Sequence, residues 1–129
     1  MKLNEIELVD NILKPEDFVR LRNATAFADI PIEHARKALQ NGLMNVSALK
    51  NGELIGMGRL VGDGAMYWYL QEIVVLPEYQ HQGLGTALVS YAVSRPVYQG
   101  LRGILLTKNA HGLYRKFGFE LNTERAMIK

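Results

Sequence analysis

The periodicity of the apolar residues changes at Pro77, and this change limits the folds that the chain can adopt. Before it, two runs of alternating polar and apolar residues over 44–61 flank Asn51-Gly52. Such alternation predicts strands, and Asn-Gly between two alternating runs is typical of a tight hairpin. Residues 65–76, rich in aromatic and β-branched side chains, are then expected to form one long strand that Pro77 ends.

Helical spacing of apolar residues occurs in four segments of the chain, two before the alternating runs and two after Pro77. After Pro77, apolar residues recur every three or four positions until Arg95-Pro96 ends the predicted helix; they are Leu84, Ala87, Leu88, Tyr91 and Ala92. Three further helices are predicted by the same spacing; proline and acidic residues mark the start of the first two, and glycine marks the end of the last two. They cover residues 15–25, 29–42 and 110–118.

Short strands complete the predicted order of elements. One opens the chain at residues 5–9, and another, at 103–107, is apolar enough to be buried on both faces. Residues 119–129 are expected to supply one or two closing strands. The predicted class is α+β, close to α/β, with a mixed, mostly antiparallel central sheet of about six or seven strands flanked by about four helices.

Composition and charge narrow the classes of function. The chain has 129 residues, of which 48% are hydrophobic and 22% charged, as expected for a single domain over residues 1–129. Its net charge is +2 without a basic stripe, so no nucleic-acid partner is expected. Apolar runs such as Ile73–Leu76 are far too short to span a membrane, and the first residues do not resemble a signal peptide.

The chain contains no cysteine. This excludes disulfides, zinc–thiolate sites and cysteine nucleophiles, and it favours a reducing, cytoplasmic location. The three histidines are scattered and have no clustered acidic residues beside them, so no metal site is expected.

The segment Val75–Thr86 carries the most specific chemical signal. A strand ends there, a short turn follows, and Gly83 and Gly85 lie where the next helix begins. The first N–H groups of a helix lack internal acceptors, so a phosphate can approach the backbone closely where side chains are missing. The alternative is an ordinary helix start whose glycines allow tight packing. The segment is neither a P-loop nor a dinucleotide fingerprint, because the latter needs glycine where Leu88 stands.

Two motifs in this chain resemble those of the GNAT superfamily of N-acetyltransferases. Gln80-x-x-Gly83-x-Gly85 is similar to the family's acyl-CoA signature, Q/R-x-x-G-x-G/A, between the fourth strand and third helix. The segment 109–119 looks like the family's A-x-x-L/F-Y-x-x-x-G-F pattern and brings Tyr114 to the tyrosine position. The predicted order of elements also fits this family along nearly the whole chain.

The resemblance implies a role for each matching residue. Backbone groups of Ile73, Val74 and Val75 are expected to hold the pantetheine arm and the acetyl carbonyl of acetyl-CoA. The turn is expected to hold the diphosphate, mainly through backbone amides, and its residues are Gln80, His81, Gln82, Gly83, Leu84, Gly85 and Thr86. Tyr114 is expected to protonate the departing thiolate, because a phenol with a pKa of about 10 is protonated at neutral pH. Without the motif, a core tyrosine explains Tyr114 equally well.

One position departs from the family pattern. Many members carry asparagine seven positions before the tyrosine, where it contacts the cofactor, and Thr107 stands there in this chain. Asn109 is therefore included as a candidate cofactor-binding residue.

An acceptor amine must lose its proton before it attacks the thioester. Glu72 is the best-placed acid, because it lies within the strand that approaches the acetyl group and burial would raise its pKa. The alternative is a glutamate that is salt-bridged or faces solvent. His111 is a second candidate base.

The acceptor side is expected to involve the two early helices, which usually shape this site in the family. Phe27, Asp29, Ile32 and Glu33 are candidate walls, and the two acids would attract a cationic amine. Along the long strand, Trp68 should face away from Tyr67 and Tyr69, so that one face either lines the acceptor site or packs in the core.

The sequence thus predicts an N-acetyltransferase that moves an acetyl group from acetyl-CoA to a primary amine by direct attack in a ternary complex. Transfer of a different acyl group and a catalytically silent acyl-CoA-binding or regulatory domain are the alternatives. The acceptor is a small molecule or a peptide whose identity stays open. Tyr91, Tyr98 and the expected exposed strands leave room for a homodimer.

Overall fold

The computed structural model describes residues 1–129. Four α-helices are present, namely α1 (Pro15–Asn23), α2 (Ile32–Asn41), α3 (Leu84–Val93) and α4 (His111–Arg115). Six strands form the sheet, namely β1 (Ile6–Asp10), β2 (Met44–Lys50), β3 (Glu53–Gly62), β4 (Tyr67–Leu70), β5 (Val74–Val75) and β6 (Arg102–Leu105). The longest helices, α2 and α3, have 10 residues each. The structure contains no candidate transmembrane helix.

The six strands form one mixed sheet in the order β1-β2-β3-β4-β6, with β5 also paired to β3. Every pairing is antiparallel except that of β4 with β6, which is parallel. The predicted α+β class with a mostly antiparallel sheet is therefore confirmed. The Asn51-Gly52 hairpin is also confirmed, since both residues have the positive φ angles, 51° and 78°, that a tight two-residue turn requires.

Helices cover both faces of β3. An added Cβ at Gly56 would lie 3.3 Å from Cδ1 of Leu88, so this glycine lets α3 approach the strand closely. The guanidinium carbon of Arg59, three residues further along β3, lies 5.8 Å from the ring of Phe18 in α1. Because side chains alternate along a strand, α1 and α3 lie on opposite faces of the sheet.

The predicted long strand over residues 65–76 is wrong, because the chain forms two short strands, β4 and β5, along the same edge of β3. Leu70 pairs with Leu60 and Val74 pairs with Met57, so three residues on one side face two on the other. This insertion is a β-bulge, which bends the strand and changes the direction of its side chains. Glu72 lies at its centre, with its carboxylate buried beneath the sheet edge.

The predictions for the end of the sheet also need correction. The strand expected to be buried on both faces, β6, is an edge strand, and Ile104 within it is 46% exposed. The closing strands expected over 119–129 are absent. Phe119 packs edge-on against Trp68 at 5.7 Å, but every later residue is exposed, so that segment buries no apolar side chain that would offset the entropy of ordering it.

A partly buried ion pair joins β1 to the segment after α3. Asp10, at the end of β1, accepts hydrogen bonds of 2.6 and 2.7 Å from the guanidinium of Arg95, just after α3. The hydrogen bond from Arg95 holds the pKa of Asp10 below its ordinary value. Beside this pair, Tyr98 is only 7% exposed, so the expectation that it serves a dimer surface is wrong.

Asp10→Asn should lower the free energy of unfolding by about 1 kcal/mol at pH 7, because the pair is bidentate but partly solvated. The pKa of Asp10 is lower in the folded state than in the unfolded state, where it is about 4, so the ionised carboxylate stabilises the fold at pH values above about 4. This stabilisation is lost as the pH falls through the pKa of the folded state. Urea unfolding at pH 7 and at about pH 3 should therefore show the difference between wild type and variant shrinking in acid. Asp17→Asn, which removes an exposed partner of Arg20, is the matched control and should change little.

Candidate active site

The sheet has a gap where β5 and the chain that follows β6 diverge. The parallel pair of β4 and β6 ends at Leu70 and Leu105. Beyond this point β5 stays paired with β3, whereas the chain after β6 forms no strand until α4 begins. A cavity of about 380 Å³ occupies the opening. It follows directly from the bulge, because a continuous long strand would have left no gap there.

Four elements line this cavity. On the side of β4 and the bulge its lining residues are Tyr69, Leu70, Gln71 and Ile73. On the side of the loop after β6 they are Leu106, Thr107, Asn109 and Ala110. Tyr114 of α4 and Phe27 of the loop between α1 and α2 complete it.

The free edge of β5 faces the same opening. The amide of Leu76 donates to the carbonyl of Ile55 at 3.0 Å. Hydrogen bonds alternate along an antiparallel pair, so the N–H and C=O of Val75 turn away from β3, toward the gap. The side-chain amide of Gln80 donates to the Val75 carbonyl at 2.9 Å, which leaves the Val75 N–H as the available donor at this edge.

The turn before α3 presents a row of free donors. The backbone amides of residues 81–86 donate to no acceptor in the chain, and the first bond of α3 runs from Ala87 to Gly83. His81 and Gly83 have left-handed backbones, with φ of 62° and 91°, which turn the chain into the helix. A Cβ added at Gly85 would meet no atom within 4 Å. The turn is therefore open to a ligand, and its chemistry fits an anion such as a diphosphate.

Tyr114 lines the cavity from α4. Its ring lies 6.0 Å from that of Phe119, edge to face, which fixes the side chain. Burial raises the pKa of Tyr114 above its ordinary value of 10.0, so the phenol keeps its proton at neutral pH. Tyr69 lies in the same lining, and burial followed by the nearby Glu72 charge raises its pKa as well. The other two aromatic residues of β4 differ in exposure, with Trp68 in the core and Tyr67 48% exposed.

Thr107 and Asn109 both lie in the lining. The hydroxyl of Thr107 accepts a hydrogen bond from the amide of Ala110 at 3.1 Å, just before α4. Thr107 thus helps to begin this helix, while Asn109 is exposed at the cavity. The role of Asn109 toward a cofactor stays a prediction.

Glu72 does not line the cavity and has both oxygens engaged. Its side chain accepts a bond of 2.7 Å from Arg22 and one of 3.1 Å from Arg59, and the residue is 3% exposed. This geometry matches the salt-bridged alternative, in which two guanidinium groups stabilise the ionised carboxylate. His111 lines an adjoining cavity of about 1100 Å³, beside β6 and the C-terminal segment, which shares Leu106, Thr107 and Tyr114 with the first.

The two arginines that bind Glu72, Arg22 and Arg59, were not among the predicted site residues. Arg59 is the single charged residue in the buried stretch 55–60, and this is the signal that would have suggested a buried partner. Arg22 lies in the last turn of α1, and nothing in the sequence around it suggests a buried partner. Among the four residues expected to wall the acceptor site, Phe27 alone lines the cavity.

Comparison with known proteins supports one family. Residues 44–121 match the acetyltransferase (GNAT) domain. An uncharacterized ycf52-like N-acetyltransferase of Prochlorococcus marinus is 29% identical over 91 residues, which cover 67% of this chain and 51% of that protein. The chain thus spans about half the length of this relative.

Solved structures share the same fold. A GNAT-family acetyltransferase of Streptococcus pneumoniae superimposes with a TM-score of 0.79 at 31% identity, covering 96% of this chain and 98% of that one. A Staphylococcus aureus protein of unknown function, described as a probable acetyltransferase, gives 0.82 at 30% identity over 96% and 98%. An aminoglycoside N-acetyltransferase in complex with CoA, at 19% identity and a TM-score of 0.68 over 96% and 93%, shares the fold alone. The chain belongs to the GNAT family of acetyltransferases.

Proposed function

We propose that residues 1–129 act as one domain that transfers an acetyl group from acetyl-CoA to a primary amine, by direct attack in a ternary complex. One arrangement carries this proposal. A row of free amides at the start of α3 and a cavity containing Tyr114 lie at the two ends of the exposed β5 edge. CoA-bound members of the same fold make this cofactor the natural choice.

The turn over residues 80–86 is proposed to hold the diphosphate. Six consecutive amides point to no internal acceptor, and the helix start adds partial positive charge. The side chain of Gln80 fixes the turn to β5 through the Val75 carbonyl. His81, Gln82, Leu84 and Thr86 contribute through their backbones, and Gly83 and Gly85 let the ligand approach.

The edge formed by Ile73, Val74 and Val75 is proposed to align the pantetheine arm. The outward N–H of Val75 provides a donor there, as an edge strand does when it pairs with an extended partner. Acetyl-CoA, when bound, supplies the activated thioester carbonyl. The chain then contributes orientation and backbone donors rather than a covalent nucleophile.

Tyr114 is proposed to deliver the proton that the departing thiolate needs. The raised pKa of Tyr114 keeps the phenol protonated. The side chain lines the cavity between β5 and the chain that follows β6. General-acid assistance of this kind contributes about 10²–10⁴ in rate.

The experiment is an acetyl-transfer screen with purified protein, acetyl-CoA and a library of primary amines, read as release of free thiol. We expect thiol release that depends on the amine, and mass spectrometry should show one acetyl group added to it. Propionyl-CoA and longer acyl-CoAs in parallel establish the acyl preference. Binding of acetyl-CoA without transfer to any amine would contradict the proposal and favour a silent acyl-CoA-binding domain.

A further inference from the structure

The lining of the active-site cavity carries no charge. None of its 10 residues is acidic or basic, and three of them, Phe27, Tyr69 and Tyr114, are aromatic. Aromatic faces attract a single cation and pack against an apolar body. A second ammonium group inside this cavity would lose its water without gaining a counter-charge, which is costly.

The acidic residues near the cavity do not provide that counter-charge. Glu72 is bound by Arg22 and Arg59, so this buried group carries a formal net charge of one positive. Asp29 and Glu33 are exposed and lie outside the lining, and Glu33 lies 3.5 Å from Arg36. The environment behind the cavity therefore disfavours additional positive charge on an acceptor.

The wall formed by Phe27 depends on the same buried group. The guanidinium carbon of Arg22 lies 5.0 Å from the centre of the Phe27 ring. Arg22 also donates to the carbonyl of Ala28 at 3.0 Å, which fixes the loop that carries the ring. Its other amino group donates to Glu72 at 2.7 Å. The position of Phe27 is thus set through Arg22 by a carboxylate in the bulge.

We propose that the acceptor is a monoamine, and that Glu72 positions the Phe27 wall through Arg22 rather than taking the proton of the amine. This inference rests on the proposed function and specifies the acceptor class for the same site. Polyamines, aminoglycosides and lysine-rich peptides fall outside that class, because each brings further positive charges into an uncharged cavity.

The first test measures acceptor binding without turnover. The protein is saturated with CoA, which cannot transfer an acetyl group, and is titrated calorimetrically with phenethylamine, hexylamine, spermidine and kanamycin. We expect the two monoamines to bind at least about tenfold more tightly than the two polycations. Equal or tighter binding of spermidine or kanamycin would overturn the inference.

The second test removes the aromatic side chain of Phe27. Phe27→Ala should weaken phenethylamine binding about tenfold, because the ring supplies apolar contact and a cation–π face. CoA affinity and the melting temperature should stay unchanged, since Phe27 is 37% exposed. Val97→Ala is the matched control, because Val97 is 64% exposed and lines neither cavity. Phenethylamine binding that is the same in both variants would contradict the role of Phe27.

The third test separates positioning from proton transfer. Arg22→Lys keeps the charge beside Glu72 but loses the planar fork that also holds Ala28 and the Phe27 ring. We expect a higher KM for the amine, with kcat and its dependence on pH unchanged. Glu72→Gln, where it folds, should also act mainly on KM. A kcat reduced about a hundredfold or more for every amine in Glu72→Gln, with the acidic limb of its pH profile removed, would restore Glu72 as the base.

The outcomes distinguish this inference from the proposed function. If no amine is acetylated in the thiol-release screen, the proposed function fails and the inference fails with it. If polycations are acetylated and bind more tightly than monoamines, the enzyme assignment stands and the acceptor class is wrong.

Discussion

Gly83→Glu should reduce the affinity for CoA about a hundredfold or more, to the point where calorimetry detects no binding. The carboxylate would stand among the free amides of residues 81–86, where it would occupy the donors and repel a diphosphate. Gly83 also has a left-handed φ of 91°, so any side chain strains the turn and costs about 1 kcal/mol of stability. Normal CoA binding by this variant would remove the turn from the proposed cofactor site.

Two variants at Gly85 separate charge from strain. Gly85 has no positive φ, and a Cβ there meets no atom, so Gly85→Glu adds the same charge without straining the backbone. It should lose CoA affinity while keeping its melting temperature. Gly85→Ala should keep CoA binding, because the family pattern tolerates alanine there, and should gain about 0.5–1 kcal/mol of stability from its higher helix propensity.

Tyr114→Phe should lower kcat about tenfold or more, with the affinity for acetyl-CoA nearly constant. The change removes only the hydroxyl, and the structure shows no hydrogen bond from that hydroxyl within the chain. Stability should therefore change little, and the edge-to-face contact with Phe119 remains. Steady-state kinetics together with calorimetry of acetyl-CoA binding measure the two effects separately.

The same residue predicts a pH dependence. Burial raises the pKa of Tyr114 above 10.0, so turnover that depends on its proton should fall only above about pH 10. Tyr69→Phe, at the other tyrosine of the cavity lining, is the matched control for a lost phenol. A kcat in Tyr114→Phe equal to that of wild type would exclude Tyr114 from the reaction.

Features that depend on neighbouring residues could be predicted from the sequence. Both early helices, the Asn51-Gly52 hairpin and α3 follow from spacing and turn residues that act within a few positions. The turn before α3 belongs to the same group, because free amides at a helix start are a property of the local backbone. The two GNAT motifs could be recognised for this reason, and the family match confirms the family.

Features that depend on residues far apart in the chain could not be predicted from the sequence. The apolar stretch 65–76 satisfies the pattern of one strand, and at its break Glu72 pairs with arginines 50 and 13 positions away. A carboxylate in the interior is stable only where such partners meet it, and no local pattern reports their position. The absence of strands over 119–129 could not be predicted either, since Leu121, Met127 and Ile128 are apolar but stay exposed.

The sequence by itself determined the family, the four helices, the Asn51-Gly52 hairpin and the turn with its free amides, because each rests on short-range backbone and side-chain patterns. Tertiary structure decided the bulge, the cavity that the bulge opens and the uncharged lining of that cavity. It also decided that Glu72 meets two arginines rather than the cavity. These features arise where strands and helices far apart in the chain pack together, and the energy of a buried charge depends on what surrounds it in space.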